Sequence, residues 1–540
     1  MKKQIIISIL FLVVAMTIKA QKSPGFSFYT DRDEYVSGET LLAKIYTPSE
    51  NKSRIVYLDL VNKYGTRISG VSTVIKNNQA DGFFQLPDSL SSGTYLLRAY
   101  LKNTAAKLKI IREIWISNRF DGLEKTNQIN RLLDSENIQD TRSSQIEIEN
   151  INPAYATNSN IGGTIKIDET LLNEIDGNLM VCVAQTDPSF IPASYTWSAS
   201  EGKEGLNEKK GMILTGTITD KKTSEPASGI TVYLTIPDSI PGFQYYKTRN
   251  NGRFYFLLDN YYGSVQAIVQ CFGNTPAQRL KIRMDELFAE PGTLPKFKQQ
   301  SINEEFKTNQ IRNIEAVTFQ KIFGQNKIKL STPPVRIQED YAYYGRPTST
   351  VNPHLFIDLP NFTEVSRELL AGVKFRNYNN EPTMQVINTA KHYYFEENPL
   401  VLIDGIPIRD LNLIKDMGTV DIKRVDICQS ERFYGDLRFP GVVAIYATKA
   451  DYSRLPESDQ FIRLKLEGFQ VPSSLAPPEI SESSIPDLRQ VIFWNPSLEP
   501  DRILSVNCNT SAITGQYKLI VRGRLKNGTM IFAEKQFEVK

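Results

Sequence analysis

The sequence predicts a mainly β protein of several domains, most of them β-sandwiches, together with one small α+β domain. Three observations support this fold class. Short alternating apolar runs bounded by turn residues recur along most of the chain, which is typical of sandwich strands. A length of 540 residues exceeds what one hydrophobic core normally organises. The apolar spacing changes to a helical period near residue 362, where a different kind of domain is therefore expected.

The first twenty residues are predicted to be a signal peptide. The basic pair Lys2-Lys3 precedes an apolar run over residues 5–16, and Ala20 suits the position before a cleavage site. An uncleaved anchor is the alternative. No cysteine lies near Ala20 for lipid attachment, and no later run in the sequence is apolar enough to span a membrane. We therefore expect an exported protein of the periplasm that is associated with the outer membrane.

Charge is balanced over the rest of the chain. The whole sequence has 63 Lys+Arg against 60 Asp+Glu, and residues 1–20 contain three lysines and no acidic residue. A balanced remainder offers no positive track for phosphates, so no nucleic-acid partner is expected. Recognition is expected to depend on shape and on strand edges instead.

Four cysteines lie in or beside β-like runs, at least 80 residues apart: Cys182, Cys271, Cys428 and Cys508. None of the close spacings of a zinc site occurs among them, so no metal site is expected. Export would permit disulfides, but a small free cysteine also packs well as a buried apolar residue. We favour free cysteines buried in strands, with one or two disulfides as the alternative.

The first domain after the signal peptide is predicted to be a sandwich. Apolar runs at Leu41–Tyr46, Ile55–Leu60 and Tyr95–Tyr100 are separated by glycine-containing turns. The segment Thr30–Thr40 resembles the opening of a macroglobulin-type domain of the alpha-2-macroglobulin family, and Leu86–Tyr95 matches the later strands of that module. The Cys-Gly-Glu-Gln thioester of the family is absent from the sequence. The resemblance therefore implies the fold without covalent protease trapping.

Two further sandwiches are predicted to follow. Strand candidates at Gly163–Ile167 and Leu179–Val183 indicate the first of them. The next segment begins at Gly216–Asp220 and contains Asn251-Gly252, which is a strong hairpin signal. This segment resembles the carboxypeptidase-regulatory-like fold, a small seven-stranded sandwich. The resemblance implies an accessory domain without catalytic residues.

A connecting segment is predicted after these domains, with one short helix or strand in it. It contains a β-favouring run that loosely resembles the TonB box of TonB-dependent outer-membrane receptors. The residues of this run are Ile314, Glu315, Ala316, Val317 and Thr318. The resemblance implies TonB as a partner, while the alternative is a β-favouring peptide that matches by chance.

A helix is predicted where the sequence pattern changes. Asn361 suits the N-cap, and Glu364 stands three residues later, as in a capping box. Phe362, Val365 and Leu369 recur at the spacing of one helix face. An apolar helix face at this point indicates a small α+β domain.

The string from Pro353 to Asp451 closely resembles the plug domain of TonB-dependent receptors. The residues that carry the resemblance are Asp404, Gly405, Pro407, Tyr434, Gly435 and Gly441. The pair Asp404-Gly405 suits a chain reversal, and Pro407 cannot donate a hydrogen bond within a central strand. The later glycines permit tight turns. We therefore interpret these residues as structural, and expect Asp404 to shape a turn and not to act as a general acid.

A receptor barrel cannot follow the plug-like string in this sequence. Only 91 residues follow Lys449, whereas a barrel of about 22 strands needs more than about 220 residues. Runs at Gln490–Trp494, Gln516–Val521 and Met530–Phe532 instead predict one more sandwich. The whole chain resembles an envelope-protein family of Bacteroidetes-type bacteria that combines macroglobulin-type and plug-type domains.

These segments define the predicted domain boundaries. They are 1–20 for the signal peptide, 21–118 for the macroglobulin-like sandwich, 119–207 for the second sandwich, 208–290 for the regulatory-like sandwich, 291–350 for the linker, 351–453 for the plug-like domain and 454–540 for the C-terminal sandwich.

Function is predicted to be non-catalytic. His354 and His392 are the two histidines, neither stands in a catalytic motif, and no phosphate loop or dinucleotide fingerprint occurs. We expect no enzyme activity and no cofactor. The prediction is a scaffold or accessory subunit of an outer-membrane transport or assembly complex, with an outer-membrane barrel or envelope complex protein as its partner. The alternative is a periplasmic protein that binds a glycan or a peptide.

Overall fold

The fold was analysed in a computed structural model. It describes residues 26–48, 51–103, 108–122, 128–132, 140–188, 190, 192–198, 205–238, 240–272, 279–292, 294–323, 328–333, 340–378, 381–449, 454–475 and 485–540. The protein is mainly β, with 51% of residues in strands and 9% in helices, as the sequence predicts. Among the described residues, every helix is too short or too polar to cross a membrane.

The chain folds into two compact units, and each unit is assembled from separate segments of the sequence. Unit 1 takes residues up to Gly211, then Phe288–Pro333 and Phe469–Lys540. Unit 2 takes Met212–Leu287 and Pro334–Gly468. Strands are numbered below in chain order.

The first sandwich of unit 1 has a hydrophobic core between two sheets, ordered β1-β3-β6 and β15-β8-β7-β4-β5, with β2 on β8. Its strands are β1 Ser27–Thr30, β2 Glu34–Val36, β3 Thr40–Tyr46, β4 Ile55–Asn62, β5 Arg67–Val74, β6 Gln79–Gln85, β7 Gly93–Tyr100, β8 Leu108–Ser117 and β15 Ser194–Ser198. Leu41 and Ile45 on one sheet and Leu60 and Ile114 on the other are fully buried in this core.

The second sandwich of unit 1 combines strands from distant parts of the sequence. They are β10 Thr141–Arg142, β11 Ile146–Glu149, β12 Ala154–Tyr155, β13 Asn160–Ile167, β14 Leu179–Gln185, β36 Val491–Leu498, β37 Ile503–Asn509, β38 Gly515–Arg524 and β39 Met530–Val539. Helix α1, Glu169–Leu172, connects β13 to the rest. β13 pairs with β37, and β14 lies between β36 and β38.

This topology corrects the expectation of separate sandwiches at 119–207 and 454–540. Strands from those two segments fill one hydrophobic core, in which Ile161, Val181, Leu519 and Val521 are fully buried. Neither segment could bury its apolar face alone, since each supplies only part of both sheets.

The expected linker of residues 291–350 contains a 19-residue helix and paired strands, and not just one short element. β22 Phe297–Ser301 pairs with β9 Gln128–Leu132, and β23 Ile328–Leu330 pairs with β35 Ser473–Leu475. Between β22 and β23, helix α2 spans Glu304–Ile322 and is capped by Asn303, whose side chain accepts from the Phe306 N–H at 2.7 Å.

Unit 2 contains a seven-stranded sandwich among its described residues. The strands are β16 Met212–Asp220, β17 Thr231–Ile236, β18 Gly242–Lys247, β19 Arg253–Leu258, β20 Ser264–Phe272, β21 Leu280–Met284 and β34 Phe461–Glu467. The sheets are ordered β19-β16-β21 and β18-β17-β20-β34. Asn251-Gly252 makes a turn with Gly252 at φ +69°, but it joins strands of different sheets and not a hairpin. The last strand comes from beyond residue 454 and not from within the expected 208–290.

The rest of unit 2 has a five-stranded sheet, ordered β24-β30-β33-β28-β29, with smaller sheets beside it. We call it the plug-like module after the sequence string that it contains. Its elements are β24 Ser349–Val351, α3 Phe362–Leu369, β25 Val373–Tyr378, β26 Glu381–Asn388, β27 Tyr393–Tyr394, β28 Leu400–Ile403, β29 Ile406–Ile408, β30 Ile422–Cys428, β31 Arg432–Tyr434, β32 Leu437–Phe439 and β33 Val442–Ala447, with 3-10 turns at Pro353–Leu355 and Leu411–Leu413. The predicted start of α3 is confirmed, because Asn361 accepts from the Glu364 N–H at 3.0 Å.

All four cysteines lie in strands, as expected from their apolar surroundings. They are Cys182 in β14, Cys271 in β20, Cys428 in β30 and Cys508 in β37. The first three are buried, and all four are free thiols. Burial raises the pKa of the Cys508 thiol to about 11, so this thiol is protonated and unreactive at neutral pH.

Candidate interaction site

The Asp404-Gly405 turn connects β28 to β29 in the way the sequence predicts. Both residues have positive φ, +49° and +83°, which a two-residue hairpin turn of this kind requires. Asp404 also attaches the turn to β33, since its carboxylate accepts from the Ala447 N–H at 2.9 Å and its own N–H donates to Ile445 at 2.8 Å. Burial raises the pKa of Asp404. These contacts describe a residue that shapes the backbone.

Gly405 and Pro407 both face the sandwich of unit 2. A Cβ atom on Gly405 would lie 2.4 Å from Pro241, so the close approach requires glycine. The Pro407 carbonyl accepts from the Gln270 side chain on β20 at 2.8 Å. β29 is the edge strand of its sheet, where proline removes no ladder hydrogen bond.

Tyr434 and Gly435 also contact the sandwich. The Tyr434 hydroxyl donates to the Phe243 carbonyl on β18 at 2.9 Å, and the two rings meet edge to face at 5.5 Å. Gly435 has φ +60°, and a Cβ atom there would lie 2.1 Å from the Tyr245 hydroxyl. Gly441 lies elsewhere, at φ +93° between the Cys428 carbonyl and Val386.

Asp436 is a contact residue that the sequence analysis missed. Its carboxylate accepts from the Tyr245 hydroxyl at 2.5 Å and from the Lys247 ammonium, both on β18. The hydrogen bond from Lys247, followed by that from Tyr245, lowers the pKa of Asp436. No sequence signal could have identified it, because its partners stand about 190 positions earlier. Gly405, Pro407, Tyr434, Gly435 and Asp436 together hold the plug-like module against the sandwich.

A separate part of the plug-like module exposes an apolar surface, which we call the apolar patch. It consists of Leu355, Phe356, Ile357 and Val420, which are 70%, 57%, 75% and 66% exposed. The backbone beneath it is fixed by Thr419, which is buried, accepts from the Leu359 N–H at 3.0 Å and donates to the Ile357 carbonyl at 3.2 Å. Sequence reasoning missed this patch, because apolar residues in a turn are indistinguishable from core residues before the fold is known.

The TonB-box-like residues lie in α2 of unit 1 and not in an extended segment. Ala316 and Val317 are buried, Ile314 and Thr318 are half-buried, and Glu315 is exposed. The Thr318 hydroxyl donates to the Ile314 carbonyl at 2.7 Å, a contact that depends on the helical turn. Pairing this run with a partner strand would require the helix to unwind, since its backbone groups already bond within the helix.

The two histidines lie in the plug-like module and are exposed. His354 contacts the Lys423 carbonyl through Nδ1 at 2.8 Å, and His392 occupies a turn at φ +55°. Within the described ranges, no group of three or more His, Cys, Asp or Glu side chains has the geometry to hold a metal ion.

Comparison with known proteins finds distant similarity to solved structures only. No family model matches the sequence, and no curated protein matches it. A mutant of Salmonella alpha-2-macroglobulin is 9% identical with a TM-score of 0.23, over 95% of this chain and 39% of that one. Trypsin-activated alpha-2-macroglobulin from Escherichia coli is 8% identical with a TM-score of 0.23, over 96% and 42%.

A third similar structure is dimeric latent PorU from Porphyromonas gingivalis, which is 10% identical with a TM-score of 0.15, over 52% of this chain and 34% of that one. This chain therefore spans less than half the length of the macroglobulins that it matches. TM-scores this low define neither a family nor a shared activity.

Proposed function

We propose that this chain is a non-catalytic scaffold of the bacterial cell envelope, which works as an accessory subunit of an outer-membrane transport or assembly complex. Its plug-like module docks a partner protein through the apolar patch. The observation that carries this proposal is the exposure of four apolar side chains on two segments, residues 355–357 and Val420, which Thr419 holds together by hydrogen bonds. Contiguous exposed apolar surface of a few hundred Å² is typical of interaction sites, whereas single exposed apolar residues are not.

Rigidity supports a docking role for the patch. Thr419 bonds to the backbone on both sides of Asp358, and the Thr448 hydroxyl donates to the Val420 carbonyl at 2.9 Å. A surface that is ordered before binding loses little conformational entropy on association. The apolar side chains therefore contribute to affinity without a large ordering cost.

The proposed partner is an integral outer-membrane barrel protein. The plug-like string is the part of the sequence with the most specific resemblance, and in receptors such modules work against a barrel. Here Pro407 and Tyr434, which carry that resemblance, contact the chain's own sandwich instead. The apolar patch is an exposed surface of this module that is available to a separate barrel chain. Engagement of TonB through Ile314–Thr318 is not favoured, because those residues are helical.

Site-specific photo-crosslinking in the native bacterium tests this proposal. A photoreactive residue at Ile357 should give an adduct with an outer-membrane protein. The same residue at Ile503, an isoleucine of unit 1 with a similar exposure of 62%, serves as the matched control. Ile357→Asp should abolish copurification of the adducted protein, whereas Ile503→Asp should leave it unchanged. Equal crosslinking from both positions, or none from Ile357 in intact cells, would contradict the docking role.

A further inference from the structure

The second sandwich of unit 1 ends in an exposed edge strand, β37. This strand closes the three-stranded sheet β11-β13-β37 on one side and pairs with β13 over seven residues without a register shift. Leu504 and Val506 on β37 are buried in the sandwich core. The alternate residues are exposed on the outer face of the sheet: Ile503, Ser505, Asn507 and Asn509. β37 therefore shows the period of two of a half-buried strand.

The backbone of β37 has unused hydrogen-bonding groups along its outer edge. The Ile167 N–H donates to the Arg502 carbonyl at 3.0 Å, and the Thr510 N–H donates to the Ser159 carbonyl at 2.9 Å. Because hydrogen-bonded pairs alternate along antiparallel strands, the even-numbered residues of β37 bond to β13, and the odd-numbered residues direct their N–H and C=O groups away from it. In the part of the chain that the structure describes, no further hydrogen bond engages the backbone of these odd-numbered residues. They form an open edge to which another strand can bond.

The other long edge strands carry features that oppose pairing with another chain, and β37 carries none of them. Charged residues, prolines and register shifts are the usual protection of a sheet edge. Among the edge strands of six or more residues in the described ranges, only β37 has no charged residue, no proline and no register shift. The protected edge strands are β5, β6, β18, β19, β25, β34 and β36. β37 is therefore the long edge that is suited to strand addition.

The distribution of charge along β37 favours a second copy of this chain as its partner. Asp501 and Arg502 precede the strand, and Lys166 of β13 stands opposite Ile503, whereas no charged residue occurs from Ile503 to Gln516. In an antiparallel pair of copies, the charged start of each strand lies against the neutral end of the other, so no charged side chain faces its own copy. A second copy also presents the same unused backbone groups on a strand that is already ordered. A flexible peptide would instead lose conformational entropy on binding.

We infer that two copies of this chain pair through β37, antiparallel and about a twofold axis at Val506, and join their three-stranded sheets into one of six strands. Ser505 of each copy stands opposite Asn507 of the other, so the outward N–H and C=O groups of the two strands bond to each other. The same register places Leu504 opposite Cys508, which keeps the apolar residues of both strands on the core side of the sheet. This dimer is independent of the apolar patch, since β37 belongs to unit 1.

Sedimentation velocity of the full chain over a range of concentrations tests the inference. The mass should rise with concentration from that of the monomer toward twice that value. Ser505→Pro removes an N–H that faces the second copy and not β13, so the strand should still fold and the chain should stay monomeric. Ser505→Lys places a charge on the edge and should raise the dimer dissociation constant about tenfold. Two controls should leave the dimer unchanged: Glu147→Gln, which changes the net charge by the same amount on the opposite edge strand β11, and Ile357→Asp, which alters the apolar patch.

Disulfide crosslinking tests the register of the pair separately. An equimolar mixture of Ile503→Cys and Asn509→Cys should form a disulfide-linked dimer on mild oxidation, because these two positions are opposite each other. Either variant alone should stay at the background of the unaltered chain, since each position lies six residues, or about 20 Å, from its own copy. A chain that stays monomeric at its highest soluble concentration, a dimer that survives in folded Ser505→Pro or Ser505→Lys, or equal crosslinking from Ile503→Cys alone would each overturn the inference. If Ser505→Pro does not fold, Ser505→Lys decides.

Discussion

Asp31 offers the sharpest test of the electrostatics of unit 1. It follows β1, and its carboxylate is completely inaccessible to solvent. It accepts from the Tyr35 hydroxyl at 2.9 Å and from the Leu42 N–H at 2.7 Å, and it contacts the Arg32 guanidinium at 3.3 Å. Burial outweighs these favourable contacts and raises the pKa of Asp31 from 3.8 to about 6. The substitution Asp31→Asn removes this titration and keeps an oxygen for Tyr35 and Leu42.

The direction of the effect follows from where the proton binds more tightly. The folded protein holds the Asp31 proton more tightly than the unfolded chain, so the contribution of this group is complete below pH 3.8 and is lost as the pH rises through about 6. One pKa unit corresponds to about 1.4 kcal/mol, and the rise from 3.8 to about 6 therefore gives about 3 kcal/mol. Relative to wild type, Asp31→Asn should become more stable by about this amount between pH 4 and pH 7.

Denaturant unfolding of both proteins at several pH values measures this difference. Subtracting one curve from the other cancels the groups that titrate equally in both, which matters in a protein with two units. Ser27→Ala, a neutral change in β1, is the control and should give a difference that does not depend on pH. A difference for Asp31→Asn that is flat with pH, or that falls as pH rises, would refute the reasoning.

Three further outcomes are expected from the fold. Gly435→Ala should lower the free energy of unfolding of unit 2 by about 1–3 kcal/mol in denaturant titrations. The positive φ of residue 435 disfavours any residue with a Cβ atom, and that atom would also clash with the Tyr245 hydroxyl. Phe362→Ala should cost about 3–5 kcal/mol, because the ring is fully buried against Phe375; a loss below about 1 kcal/mol would contradict its core position. Truncation of residues 485–540 should deprotect β13 and β14 in hydrogen exchange, whereas retained protection would contradict the shared second sandwich.

Local signals in the sequence predicted local structure well. The N-cap at Asn361 and the Asp404-Gly405 turn depend on contacts within three residues, so the residue types alone indicate them. Apolar runs likewise identified three strands of the first sandwich, β3, β4 and β7, because strands buried in a core are rich in apolar residues. The mainly β class followed from these runs.

The sequence did not predict which distant segments pair in a sheet. β13 and β37 are adjacent in a sheet although more than 300 residues separate them, and β34 completes a sandwich whose other strands end at Met284. A strand carries its inward and outward faces in its sequence, but not the identity of its neighbour. The domain boundaries drawn from contiguous runs were therefore wrong at 119–207 and 454–540.

Helix α2 shows tertiary packing overriding local preference. The run Ile314–Thr318 favours a strand by composition, yet it lies in a helix that packs on the first sandwich. Phe306 meets Trp115 edge to face at 5.7 Å, and Gln310 accepts from the Ser117 hydroxyl at 2.7 Å. These contacts are available only to one face of a helix, so the packing decides the conformation of the β-favouring run that follows.

The residues that carry a family resemblance and the surfaces available for binding are different sets in this protein. Gly405, Pro407 and Tyr434 are used inside unit 2, where they fix the plug-like module to its sandwich. These internal contacts already account for the three residues, so we expect a binding function to use side chains that the resemblance does not include. The apolar patch satisfies that condition, since its four side chains are exposed. Substitutions at the motif residues should therefore reduce stability, whereas substitutions at the patch should reduce binding at nearly constant stability.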